Sequence, residues 1–232
     1  MLSLAGMSTP YSTHVYAEVT STQDVARTVS IGSPVLVIAA SQTAGRGRSG
    51  SSWETAPRAL AMSLHLLLDE QSWPSERRTL VPLATGVAAA RLYDLDLKWP
   101  NDLQRQEAKL GGILVEASES GMTVGVGINL WWPDSPSDRT ALWADDPGPN
   151  AFAAIGAEVG EAIWEEFAKG AGAWSYSDYC AACTTLGSEI TWGHGESGSA
   201  VAVDRFDGSL LVDQQGTRRV LRTGAVRHVR AR

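Results

Sequence analysis

Apolar and polar residues alternate along HVYAEV (His14–Val19), the period-two pattern of a half-buried strand. STQDVARTVS follows, with Ser21 and Asp24 spaced three apart in an approximate capping box that opens a short helix. PVLVIAA (Pro34–Ala40) and ALAMSLHLLL (Ala59–Leu68) are continuous apolar runs and predict buried strands. The run from Ser75, SERRTLVPLATGVAAARLYD, predicts one helix with Pro82 in its first turns and a small-residue face. DLKW is a short strand stopped by Pro100, and PND supplies turn chemistry. KLGGILVEASE and MTVGVGINLWW predict a hairpin turning at Ser120-Gly121, with WPDSPSDR as a loop beyond it. AFAAIGAEVGEAIWEEFAKG is strongly periodic and helical, and YSDYCAAC makes a second helix.

After about Leu186 the pattern changes to short β runs divided by Gly turns: EITW, AVAVDRF, SLLVDQQ and TRRVLRTGAVRHVR. Such spacing predicts a small barrel. The expected architecture is therefore α+β, a mainly antiparallel sheet with helices over residues 1–186, plus a β domain over 187–232.

Composition narrows the function. With 232 residues, 44% of them hydrophobic, the chain can bury a sizeable core. A formal net charge of -7 argues against a general nucleic-acid binder, because neutralising phosphates needs a basic face. MLSLAGM is too short for a signal peptide, and no apolar run reaches membrane-spanning length. Two cysteines make no disulfide framework, which fits a reducing cytoplasm. Cys180 and Cys183 form a CxxC on an expected helix, outside the βαβ setting of a redox motif. They also supply only half a zinc site, so no metal ligands are assigned.

Against this acidic background SQTAGRGRSGSSW (Ser41–Trp53) stands out. Its glycines permit close backbone approach, and Arg46 and Arg48 offer planar forks suited to phosphate or carboxylate. Taken singly, GRGR also reads as a solvated loop or a nucleic-acid patch, KWPND as a strand end, and GVGIN as a strand with glycines. Gly125 and Gly127 share one strand face, leaving room for a ligand or for a tight crossing.

The order TSTQ, QTAGRGRSGSSW, KWPND, KLGGILVE, GVGIN resembles the biotin protein ligase family, and the last β runs resemble its C-terminal SH3-like barrel. The resemblance implies activation of biotin by Mg2+-ATP to biotinyl-5′-AMP with release of pyrophosphate. Biotin then passes to one lysine of a carboxylase's biotin carboxyl carrier protein domain. Ser21, Thr22 and Gln42 would meet the ureido group; Gln23 is also assigned to biotin, with its contact left open because it stands where relatives more often carry Asn. Ser21 serves equally as a plain helix cap. Gly125 and Gly127 would lie beside the biotin tail.

Arg46, Gly47 and Arg48 match the family's ligand-binding stretch, and the arginines would clamp the phosphates and the biotin carboxylate. Trp53 would cover the adenine end. Ser49 and Ser51 replace further basic residues. Lys109 matches the family's key lysine and would neutralise charge building at the α-phosphate. Asn101 and Asn129 are assigned to the nucleotide. Asp102 would position a group, bind Mg2+ through water or orient the incoming lysine.

The chain starts its catalytic motifs within twenty residues, so the expectation is a monofunctional ligase without a helix-turn-helix reader. The competing readings are a lipoate ligase, whose loop signature carries a conspicuous His, and a non-catalytic adenylate-binding module.

Overall fold

The computed structural model describes residues 10–229 except 52, 54, 119, 120, 223 and 225, and leaves out the side chain of residue 49. MLSLAGM and Ser120 of the expected hairpin turn thus lie outside the described residues.

Strand β1 (Ser12–Val19) leads through helix α1 (Thr22–Val29) into β2 (Val35–Gln42), the one parallel pair of the first sheet. Then come β3 (Arg58–Leu66), α2 (Val81–Tyr93), β4 (Asp96–Lys98), β5 (Asp102–Arg105), β6 (Ala108–Ser118) and β7 (Gly121–Trp131). The seven strands lie in the order β1-β2-β3-β7-β6-β5-β4, antiparallel from β2 onward. β6 and β7 pair out to Ser118 and Gly121. Helices α3 (Ala151–Ala168) and α4 (Tyr176–Ala182) precede β8 (Glu189–Trp192), β9 (Glu196–Val203), β10 (Leu210–Gln214), β11 (Thr217–Leu221) and β12 (Arg227–His228). These five form a second antiparallel sheet, β11-β10-β9-β8-β12. The mixed architecture, a mainly antiparallel sheet with helices and a C-terminal β unit, agrees with the α+β expectation.

Two local readings are corrected. The run from Ser75 is not one helix: Ser75–Leu80 is a 3-10 segment, and α2 starts at Val81 with Pro82 in its first positions. Proline has no amide proton to give, so it fits only where the helix has no acceptor for one. The capping box at Ser21 is not made either. Ser21 is the N-cap residue, but its side chain makes no cap hydrogen bond, and Asp24 is drawn into ion pairs.

Strand alternation sends neighbouring side chains to opposite faces. On one face Val35 and Val37 pack with Ala26 of α1. On the other, Leu36 and Ile38 join the main core beneath α2 and α3. Gly156 and Gly160 give α3 its close approach: a Cβ at Gly156 would stand 2.6 Å from Ile38 Cγ2, and one at Gly160 2.6 Å from Leu36 Cδ2. Gly156→Val should therefore destabilise the fold by about 1–3 kcal/mol, the usual cost of overpacking, read as a lowered melting temperature.

The second sheet is tied to the segment after β4 and to the α3–α4 region through side-chain hydrogen bonds. Trp99 Nε1 donates to Gly208 O at 2.9 Å, Trp174 Nε1 to Arg205 O at 3.0 Å and Tyr176 Oη to Val203 O at 2.9 Å. Ile190, Val203 and Val212 belong to the same contiguous core as Leu36 and Ile113. The C-terminal segment is thereby held against the strands that carry the candidate site.

Candidate active site

Register explains where a cavity opens. Across the α1 face, one row of paired residues runs Ala39, Ala61, Gly127, Gly112, Asp102, Lys98. Four small residues are followed by an acid and a base, so the row is a shallow floor with a charged end. The neighbouring row is Val37, Ser63, Gly125, Leu114. Above this floor lies a cavity of about 430 Å³.

The N-terminus of α1 makes one wall. Ser21, Thr22 and Gln23 are all buried. Gln42 Oε1, at the end of β2, accepts from the Thr22 amide at 2.8 Å and from Thr22 Oγ1 at 3.1 Å, while Ser63 Oγ donates to Thr22 Oγ1 at 2.8 Å. Gln23 Nε2 donates to Leu114 O at 3.0 Å. A Cβ at Gly125 would come within 3.1 Å of that amide, so the glycine makes room for Gln23 itself.

The arginine-rich loop makes the roof. Trp53 N donates to Gly45 O at 3.0 Å, and Gly47 N to Ser51 O at 2.7 Å, closing a short excursion from the sheet. The Trp53 ring comes down on the floor. A Cβ at Gly127 would meet Trp53 Cζ2 at 2.8 Å, and one at Gly112 would meet Cζ3 at 3.5 Å. Trp53 thus covers the glycine floor itself.

The two arginines have different protein partners. Arg46 is gripped by Asp24 and Glu116, at 2.7 Å and 3.2 Å. Arg48 Nη1 donates to Asn101 Oδ1 at 2.8 Å and to Gly224 O at 3.4 Å, linking the loop to the WPND turn and to the C-terminal segment. Asn101 in turn gives its Nδ2 to Ile113 O at 3.0 Å. The hydrogen bond from Arg46 is the main force holding the Asp24 carboxyl below its usual range. Burial pushes Glu116 up, but hydrogen bonds from Arg27 and Arg46 and their charges outweigh it, leaving a net depression.

At the charged end Lys109 Nζ lies 2.6 Å from Asp102 Oδ1. Lys109 also anchors a returning loop: its amide donates to Asp138 O, and its carbonyl accepts from Thr140 N, each at 2.9 Å. That return brings Arg139 to the cavity, where Lys98 and Val226 also contribute. The sequence reading missed these three and Gly112. Lys98 stood in the quoted KWPND and Gly112 in KLGG, but Arg139 and Val226 have no local signal.

Of the residues expected at the site, Ser21, Thr22, Gln23, Gln42, Arg46, Gly47, Arg48, Trp53, Asn101, Asp102, Lys109, Gly125 and Gly127 all border this one cavity. Asn129 does not. Its Nδ2 donates to Thr140 O at 3.0 Å, and its backbone carbonyl accepts from Leu142, because the returning loop covers that end of β7.

Two features say what the cavity can hold. Among the described residues, the buried side-chain polar atoms without a hydrogen-bond partner are Ser21 Oγ, Gln23 Oε1, Trp53 Nε1 and Asn129 Oδ1. The first three belong to residues lining the cavity. An unsatisfied buried group typically costs about 1–3 kcal/mol, which a polar ligand would relieve. Besides Arg46, which is paired with Asp24 and Glu116, the lining carries Arg48, Lys98, Lys109 and Arg139 with one lining carboxylate, Asp102. An acidic protein has gathered its cations here, as anion binding requires. No cluster of three or more His, Cys, Asp or Glu suited to a metal occurs among the described residues. No helix among them is long and apolar enough to cross a membrane.

Residues 16–131 match the Biotin/lipoate A/B protein ligase family. A biotin--[acetyl-CoA-carboxylase] ligase of Mycobacterium tuberculosis (strain ATCC 25618 / H37Rv) is 31% identical over 218 residues, spanning 84% of this chain and 79% of that protein. A protein of the same name from Paracoccus denitrificans is 31% identical over 137 residues, 55% of each chain. The solved biotin protein ligase of Aquifex aeolicus, in complex with biotin and ATP, superposes with a TM-score of 0.77 at 25% identity, covering 95% of this chain and 99% of that one. The chain belongs to the biotin/lipoate A/B protein ligase family and resembles its biotin protein ligases.

Proposed function

We propose that this protein is a biotin protein ligase that works in two steps in one cavity. In the first, a biotin carboxylate oxygen attacks the α-phosphorus of ATP, the new P–O bond forms, and pyrophosphate leaves. In the second, a lysine Nζ of a biotin carboxyl carrier protein domain attacks the acyl carbon. AMP leaves and the lysine loses a proton as the amide forms.

The observation that carries this reading is the set of unpaired polar atoms over the glycine floor. Biotin's ureido ring offers two N–H donors and one carbonyl acceptor. Gln23 Oε1 is an acceptor, while Ser21 Oγ both donates and accepts. The glycine and alanine floor suits the apolar remainder of the ring system and its tail. A lipoyl ring, the second reading that the family allows, has no hydrogen-bonding group and would leave these atoms unsatisfied.

Lys109, Lys98 and Arg139 would receive the triphosphate, with Lys109 placed for the charge that builds at the α-phosphorus. Asp102 holds Lys109 and is the one lining carboxylate, which fits a Mg2+ ion that arrives with ATP and is held mostly by phosphate and water. Burial under the loop would shield the mixed anhydride from hydrolysis. The substrates and the carrier partner are those of the cytoplasm. Residues 1–186 would form the catalytic domain and 187–232 a second domain that supplies Val226 and the Gly224 carbonyl.

The test is incubation with Mg2+-ATP, labelled biotin and a carrier domain, read as one biotinyl mass increment on one lysine. Pyrophosphate exchange supported by lipoic acid and not by biotin would select the second reading. Within the first, Arg48→Ala should weaken retention of the adenylate more than biotin affinity. Its bonds hold the loop against both Asn101 and Gly224. Free adenylate should then label bystander lysines at a raised rate; parental labelling with collapsed biotin affinity would instead make Arg48 a biotin contact.

A further inference from the structure

We propose that Asp24, Arg27 and Glu116 are positioning residues that hold the arginine-rich loop over the cavity by gripping the side chain of Arg46. Asp24 and Arg27 stand on α1, Glu116 on β6, and Arg46 in the loop, so three separate elements meet in one cluster. Arg46 Nη1 and Nη2 reach the two Asp24 oxygens at 2.7 Å and 2.9 Å, a fork-on-carboxylate pairing. Arg46 Nη2 also meets Glu116 Oε2 at 3.2 Å, and Arg27 Nη1 meets the same oxygen at 2.8 Å. Arg27 Nη2 closes the cluster on Asp24 Oδ1. Two cations face two carboxylates, and the Arg46 charge is spent on protein.

The consequence for the cavity runs through the backbone. Arg46 follows Gly45, whose carbonyl accepts from Trp53 N, and Trp53 rests on Gly127 and Gly112. Asp24 follows Gln23, whose Oε1 is one of the unpaired buried atoms. A grip on Arg46 therefore sets the roof and the α1 wall together. An isolated ion pair at this exposure would contribute little. A four-member network shared by three elements is more effective, since fixing one side chain serves several bonds. Both carboxylates have depressed pKa values, so the cluster stays ionised at neutral pH.

The consequence for catalysis rests on the ligase reading, whereas the grip itself does not, and two measurements separate them. The first is hydrogen exchange of residues 43–51 in Asp24→Asn, Glu116→Gln and the double variant, without ligand, beside a melting curve. Faster exchange confined to that segment and to α1, at near-parental melting temperature, is expected; parental exchange overturns the grip. The second is steady-state pyrophosphate exchange on the same variants. KM for biotin should rise on the order of tenfold, as coupled network residues do, with kcat and KM for ATP changing much less. Loosened exchange with parental KM for biotin overturns the positioning role. In a double-mutant cycle, Arg46→Ala should add little to the double variant. Full additivity would show that Arg46 acts on the ligand directly and would overturn the proposal. Arg46→Lys should restore the grip only in part, since an ammonium cannot fork onto Asp24.

Discussion

Replacing Lys109 by alanine should lower the rate of pyrophosphate exchange by about 10²–10³-fold, the usual loss when one preorganised group facing a charged transition state is removed. The argument is local. Lys109 sits at the base of β6 beside Gly112, with its ammonium 2.6 Å from Asp102 and its backbone clasped by the loop that carries Arg139. An ammonium so held would need little reorganisation as negative charge grew at the α-phosphorus in the proposed first step. The competing view is that Lys109 only completes a partly exposed ion pair with Asp102, the side chains being 37% and 24% exposed. Such pairs are worth about 0.2–1 kcal/mol, a change of a few degrees at most in melting temperature and none in chemistry. The two views differ by orders of magnitude in one assay at saturating biotin and ATP. A Lys109→Ala protein that melts slightly early and exchanges at the parental rate would confine Lys109 to structure. Lys109→Arg should recover part of the charge, though not its placement, because the planar guanidinium is wider than the ammonium.

What could be read from the chain divides by the distance over which the signal acts. Gly125 and Gly127 were legible because strand alternation places i and i+2 on one face, whatever the rest of the fold does. The α1 wall was legible for a similar reason, Ser21, Thr22 and Gln23 being consecutive at a helix start. Asn129, assigned to the nucleotide through the family resemblance, shares the parity of Gly127, yet the returning loop, bonded through Thr140 and Leu142, closes over it. Local periodicity carries no information about where a Pro- and Asp-rich loop comes back. Arg139 was missed for the same cause. Arg46 and Arg48 are two residues apart in a uniform-looking motif, but their partners stand elsewhere: Glu116 70 positions along for one, Asn101 53 positions along for the other. Charge type was readable there, and charge pairing was not. The 3-10 segment before Val81 likewise turns on tertiary contacts, including Thr79 Oγ1 to Asp207 O at 2.7 Å, that no window of sequence contains.

Gly127→Val should spare the fold and remove the binding site. Gly127 is the centre of the floor, paired with Ala61 on one side and Gly112 on the other. It is not needed for an unusual backbone, since it is absent from the glycines with positive φ. Its value is the missing side chain. A Cβ there would already stand 2.8 Å from the Trp53 ring, and the two methyl groups of valine would project further into the cavity. β-branched residues favour strands, and the obstructing neighbour is a loop side chain that can swing away, so melting should stay near the parental value. A ligand cannot give way in the same manner. Overpacking a closely fitted space costs about 1–3 kcal/mol, which places the loss of biotin affinity at roughly 5–150-fold. Affinity for ATP alone should change much less, because the cationic residues at the Asp102 end of the row lie beyond Gly112. Calorimetric titration of biotin and of ATP into the folded variant separates the two. Parental biotin affinity in a protein whose Trp53 has been displaced would mean that the acid does not lie on this floor, and the ureido pairing proposed for Ser21 and Gln23 would fall with it.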